Sequence, residues 1–170
     1  MNLDDFLAAV ERKAYRMALL ATNNRADALD LVQEAMIKLA TRYRDAPEAE
    51  WKPLFYRILQ NLIRDHYRRA KVLGLIQGWF AGADEEGQES VPSSRHQPLQ
   101  ALEADQAMAA LDSALQELPL RQQQVFLLRL WEGLDVKETA RVMGCSEGSV
   151  KTHYSRAVQT LRDRLGEFWS

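Results

Sequence analysis

The sequence is poor in most of what catalysis and membrane insertion require. A single cysteine, Cys145, excludes an internal disulfide and suits a reducing compartment. Three histidines, His66, His96 and His153, lie too far apart to offer metal-ligand spacing, so no metal site is expected. No phosphate loop, nucleophile elbow or pocket of paired carboxylates can be read, and the expectation is a protein that is not an enzyme and needs no cofactor. No apolar run approaches the roughly 20 residues that span a bilayer, and the N-terminal Asp4 and Asp5 replace the basic flank of a signal peptide. A cytoplasmic location without membrane insertion is therefore expected. Five prolines, eight glycines and few β-branched runs favour an all-α fold.

Charge is also nearly absent in sum, at −2 over 170 residues, but unevenly spread. Residues 47–73 carry six Lys/Arg against three Asp/Glu, whereas residues 74–108 carry one against six. The acidity is concentrated mid-chain, so surfaces elsewhere can be locally basic and suited to nucleic acid.

What the sequence does have is clearest at Asp135–Leu165. Asp135-Val136-Lys137-Glu138 is a capping box, followed by Val136, Ala140 and Met143 at helical spacing. Gly144 suits a left-handed helix end, and Ser146 can cap a second helix. Val150, Tyr154, Ala157, Val158 and Leu161 then form an apolar stripe that leaves Glu147, Lys151, Thr152, Ser155, Arg156 and Gln159 outward. Cap, glycine turn, anchor and basic face together predict a DNA-binding helix-turn-helix. The bland reading is a helical hairpin with a solvated face.

The rest of the chain is also helical in period. Leu3–Ala21 is predicted as a first helix, broken and capped at Asn23 or Asn24. Ala26–Arg42 is the second, with Ala28, Leu31, Val32, Ala35, Met36 and Leu39 buried and Leu29 either widening that stripe or exposed for a partner. Tyr43–Glu50 reads as a loop, and Trp51 to about Val72 as a third helix with Pro53 in its first turn. Tyr56, Arg57, Gln60, Asn61, Arg64, Arg68 and Arg69 share its polar face, and rings interleaved with cations suit single-stranded nucleic acid. From Gly74 to Gln100, a Gly/Ser/Pro-rich acidic run predicts a flexible linker, with a short helix around Val72–Phe80. Leu102–Leu118 and Leu120–Leu130 precede the helix-turn-helix, and Phe168 and Trp169 would form a last apolar patch. Two small helical domains, 1–73 and 101–170, follow, joined by a linker at 74–100.

ADALDLVQEAMIKLATRY, WKPLFYRILQNLIRDHYRR and LPLRQQQVFLLRLWEGLDVKETARVMGCSEGSVKTHYSRAVQTLRDRL resemble the two conserved domains of bacterial RNA polymerase sigma factors. The two-domain form resembles the extracytoplasmic-function (ECF) group. That resemblance implies a transcription initiation factor whose second helix, through Asp30, Leu31, Gln33, Glu34 and Lys38, binds the β′ clamp helices of core RNA polymerase. It implies that Tyr56, Arg57, Asn61, Arg64, Arg68 and Arg69 hold the promoter's minus-ten element as a single strand with one base flipped out. It implies that Lys151, Thr152, His153, Ser155 and Arg156 enter the major groove at the minus-35 element, with a further contact to the β flap. It also implies an anti-sigma factor as partner. The sequence departs from the family at Leu29, where an acid is usual, in an acidic loop one residue short at Tyr43–Glu50, and at Pro53. Two other readings stay open at this point: an autonomous helix-turn-helix regulator working without polymerase, and a protein-binding adaptor using Leu29 and Met36.

Overall fold

The structure, a computed structural model, describes residues 1–80 and 103–166, without the side chains of 79, 80 and 103–105. Among these residues it contains seven α-helices and no strand: α1 (Leu3–Thr22), α2 (Arg25–Arg42), α3 (Glu48–Phe80), α4 (Glu103–Glu117), α5 (Leu120–Leu130), α6 (Val136–Met143) and α7 (Glu147–Arg164). The all-α expectation is met. Helices α1–α3 pack on one another, as do α5–α7; these groups, the second with α4, are called here the N-terminal and C-terminal modules.

In the N-terminal module, Phe6, Val10, Ala14 and Met17 of α1 pack on Ala28, Leu31, Val32, Ala35 and Leu39 of α2. Phe55, Leu59, Leu62 and Ile63 of α3 close the core, with Phe55 edge-on to Phe6. Both asparagines at the first corner have a role. Asn23 ends α1 in the left-handed region at φ 54°, which asparagine tolerates, and the Asn24 side chain caps α2 by accepting from the Asp27 N–H at 2.9 Å.

The third helix is longer than its sequence predicts at both ends. It starts at Glu48, so the loop shortens and Pro53 lies in the second turn, past the backbone N–H groups that need no partner. It continues through Gly74 and Gly78 to Phe80 as one helix, so residues 74–80 of the expected linker are helical. The remainder of that linker, 81–102, lies outside the described residues, as do Phe168 and Trp169.

The C-terminal module matches its expectation closely. The Asp135 and Glu138 capping box is formed, Gly144 takes φ 68° at the end of α6, and the Ser146 hydroxyl caps α7 by accepting from the Ser149 N–H. A Cβ placed on Gly144 would meet no atom within 4 Å, so its backbone angle is what calls for glycine. Val150, Ala157 and Leu161 are buried, Tyr154 and Val158 half-buried. Tyr154 stacks on Phe126 at 5.9 Å, with the Arg129 guanidinium 5.2 Å from its ring.

The two modules are packed together, with α1 and α3 against α4, α5 and α6. Much of this seam is polar. Gln60 and Gln124 are buried in it, Arg16 and Asp112 form a two-pronged ion pair at 2.8 Å, and Lys52 donates to the Glu132 backbone carbonyl at 2.8 Å.

Candidate nucleic-acid and polymerase interfaces

Three surfaces gather the residues singled out in the sequence. On α2, Asp30, Gln33 and Glu34 are exposed and Lys38 half-exposed, 3.5 Å from Glu34. Leu31 is a correction: it is buried in the core and offers a partner nothing. An acidic and apolar motif one residue apart inevitably mixes core with surface on a helix. Leu29 is exposed, and so is Ile37, at 61%. Residues 29, 33 and 37 are spaced by four, so two aliphatic side chains bracket Gln33 on one face. Ile37 was readable as an aliphatic residue off the core stripe.

Between α2 and α3 opens a cleft of about 340 Å³, lined by Lys38, Arg42, Tyr43, Leu54, Arg57, Ile58, Asn61, Leu62 and Asp65. Apolar floor, one aromatic, three cations and an amide suit a nucleobase with its phosphates. Arg57 and Asn61 were expected here. Arg42 and Tyr43 were not assigned, although an aromatic ring between Arg42 and Arg44 was the available signal. Asn61 accepts from the Arg64 guanidinium, which keeps its amide oriented. Arg68 is exposed beside Asp65 at 3.3 Å, and Arg69 is exposed.

Tyr56 is a second correction. Expected on the strand-holding face, its side chain is fully buried, edge-on to Phe55 at 5.1 Å and close to Glu132 across the seam. Burial, then the Glu132 carboxylate, pushes its phenol well above the usual range. Neither the Tyr56 hydroxyl nor Glu132 Oε2 has a hydrogen-bond partner, leaving two buried polar atoms that water could reach if the seam opened. Arg64 is half-buried, with Nη1 3.8 Å from Met143 Sδ at the end of α6. Burial, then Arg121 and Arg68, lowers its pKa.

On α7, Lys151, Thr152, Ser155 and Arg156 are exposed, as a groove-reading face requires. His153 differs: it is half-buried, and its Nδ1 has no partner. Desolvation, then Arg121 and Arg156, holds its pKa below the usual value. Among the described residues no cluster of three or more His, Cys, Asp or Glu could hold a metal ion, and no helix is long and apolar enough to cross a membrane.

Residues 3–72 match the family described as Sigma-70 region 2, and residues 108–161 match Sigma-70, region 4. RNA polymerase sigma factor SigV of Bacillus subtilis (strain 168) is 30% identical over 152 residues, covering 89% of this chain and 83% of that protein. The chain belongs to the ECF RNA polymerase sigma factors. ECF RNA polymerase sigma factor EcfG of Rhodopseudomonas palustris (strain TIE-1) is 31% identical, covering 93% of this sigma factor and 81% of that protein. ECF RNA polymerase sigma factor BldN of Streptomyces coelicolor is 31% identical over 86% of this chain, which spans only 54% of BldN. The fold is that of a sigma factor RpoE solved in complex with the anti-sigma factor NepR from Bartonella quintana, with a TM-score of 0.70, 22% identity and 96% of each chain covered.

Proposed function

We propose that this sigma factor joins core RNA polymerase through the exposed face of α2, reads the minus-35 duplex with α7, and captures the melted minus-ten strand in the α2/α3 cleft. The observation that carries the reading is the pairing of two different nucleic-acid surfaces on one chain. The helix-turn-helix presents cations and short polar side chains of the kind that read duplex base edges. The cleft presents an amide, an aromatic and cations of the kind that hold an unstacked base.

No bond is made or broken. Strand opening follows from differential affinity: the cleft binds an extruded base that closed duplex hides, which offsets an unstacking cost of about a few kcal/mol. Leu29, Asp30, Gln33, Glu34 and Ile37 supply the contact to the polymerase clamp, where two aliphatic side chains provide burial and the acids orientation. Arg57, Asn61, Arg64, Arg68 and Arg69 hold the strand, joined by Arg42 and Tyr43. Lys151, Thr152, Ser155 and Arg156 contact the groove, with His153 behind them. A contact to the β flap, an anti-sigma factor and a cytoplasmic location complete the proposal. A region 2 module spanning most of the N-terminal half supports polymerase binding over an autonomous regulator or an adaptor.

The test is transcription from a promoter library by reconstituted core polymerase with and without this chain. Selective transcription from one promoter class is expected. A chain that binds promoter duplex tightly on its own and leaves polymerase unaffected would refute the proposal.

A further inference from the structure

Ile63 is the last residue that α3 buries in the core, yet the helix continues to Phe80. Every residue from Tyr67 to Gly78 is exposed, a projection of roughly 18 Å at about 1.5 Å per residue. Among the described residues nothing approaches its glycine face, where a Cβ built on Gly74 or Gly78 would meet no atom within 4 Å. A free helix this short is marginal in water. This one also carries aliphatic side chains into solvent: Val72, Leu73, Leu75 and Ile76 are between 42% and 67% exposed. They form a contiguous apolar patch for which the functional reading has no use.

Helical period puts these side chains on one side. At about 100° per residue, Leu75, Val72, Ile76 and Leu73 span an arc of about 160°, with Gly74, Gln77 and Gly78 opposite. The sequence continues with tryptophan and phenylalanine at 79 and 80, positions in the same arc. Arg68 and Arg69 fall on the apolar side one turn nearer the core, and Lys71 beside its edge. From His66 to Phe80 there is no Asp or Glu. The occupant of this surface must therefore accept aliphatic side chains at the tip and cations behind them. A second copy brings the same cations, which repel. One side of a cylinder roughly 18 Å long and about 10 Å wide is also only about 300 Å², against about 800 Å² per partner in a standard interface. Nucleic acid accepts the cations and leaves the aliphatic arc in water. An anionic bilayer accepts both, with phosphates at the surface and acyl chains beneath, and it demands no matching shape.

We propose that the projecting end of α3 binds the surface of an anionic membrane, its Val72–Ile76 arc entering the boundary between headgroups and acyl chains while Arg68, Arg69 and Lys71 hold lipid phosphates. An amphipathic helix lying in that boundary sinks about 5–10 Å. No helix among the described residues is long and apolar enough to cross a membrane, so the attachment is peripheral and reversible. The lipid contact stands on these side chains alone, and its consequence rests on the sigma-factor reading. Arg68 and Arg69 are also assigned to the melted strand, so bilayer and promoter compete for them. A chain held at the membrane is withdrawn from transcription until it is released.

Flotation of the full chain with vesicles of phosphatidylcholine alone, or of phosphatidylcholine and phosphatidylglycerol in equal parts, tests this. Partition is expected to be at least about tenfold stronger on the anionic vesicles, since each cation near such a surface adds about fivefold. Leu75→Gln with Ile76→Gln is expected to lower it about tenfold or more with helix content unchanged. Arg69→Gln with Lys71→Gln is expected to lower it about twentyfold, a difference that high salt erases. A parent chain that ignores anionic vesicles overturns the proposal. Equal partition of the Leu75/Ile76 double variant and the parent would mark adsorption by charge alone and overturns it too. A lipid-free dimer that the double variant dissolves, or core-polymerase binding lost in it, assigns the surface to another protein with the same result. Adding anionic vesicles should inhibit transcription by the parent holoenzyme more than by the double variant, and equal inhibition overturns the competition alone. A chain that binds vesicles yet never supports transcription would sink the functional reading and leave the lipid contact intact.

Discussion

Asp135 and Glu138 cap one helix from opposite directions: the Asp135 carboxylate accepts from the Glu138 N–H at 2.7 Å, and Glu138 Oε1 accepts from the Asp135 N–H at 3.0 Å. This reciprocal cap fixes where α6 starts, and Gly144 fixes where it stops eight residues later. The angle at which α7 leaves the turn depends on both. Asp135→Ala should therefore destabilise the chain by about 1 kcal/mol, and Gly144→Val by about 1–2 kcal/mol through its positive φ. Urea midpoints report both. Unchanged midpoints would show that packing alone sets the turn.

Arg156 and Lys151 sit on one exposed face but have different expected effects. Arg156→Ala should cost holoenzyme about 1–3 kcal/mol of promoter affinity and relax preference at one base pair of the minus-35 element. Lys151→Ala should weaken all promoters alike and reduce the salt slope by about one. Binding to a mutated promoter series at several salt concentrations separates the two roles, and identical profiles for both variants would contradict the assignment.

Tyr43 lines the α2/α3 cleft together with Asn61 and Arg57. If its ring stacks on a captured base, Tyr43→Ala should weaken strand capture by about 1–3 kcal/mol while Tyr43→Phe retains it. Permanganate reactivity of minus-ten thymines measures opening, and polymerase binding should be the same for all three chains. Equal opening by Tyr43→Ala and the parent would remove the ring from the site.

His153 should make stability depend on acidity. Its pKa in the folded chain is held below the usual 6.5 by desolvation, then by Arg121 and Arg156, so the unfolded chain takes up the proton first. The stabilisation is complete above about pH 6.5 and is lost as pH falls through the unfolded value towards the folded one. Denaturation at pH 7.5 and pH 5.5 should show a smaller acid loss for His153→Asn than for the parent. An equal loss would show that other groups dominate.

The local signals were legible because each rests on a few neighbouring residues. Asn23, Asn24, Asp135, Gly144 and Ser146 announce their turns through cap and φ chemistry, and the α7 stripe follows from period alone. The seam was not legible. Tyr56 and Gln60 share a polar face with Arg57 and Asn61, and helical period cannot tell a polar face in water from one against a second module. Gly74 reads as the start of a linker and Val72–Phe80 as a separate short helix, yet a helical glycine costs only about 1 kcal/mol, and Gly74 and Gly78 both sit in open space inside one continuous helix. At Leu31 the expected surface position is a core position, because helical period puts it on the buried stripe with Ala28, Val32 and Ala35.

The covalent connection between Phe80 and Glu103 has a thermodynamic consequence for the seam. Joined by 22 residues, the modules meet one another at an effective concentration on the order of millimolar. Surfaces too weak to hold two severed halves together at ordinary protein concentrations can stay associated when both are on one chain. Cleavage between the modules would thus dissolve the association without touching a single contact.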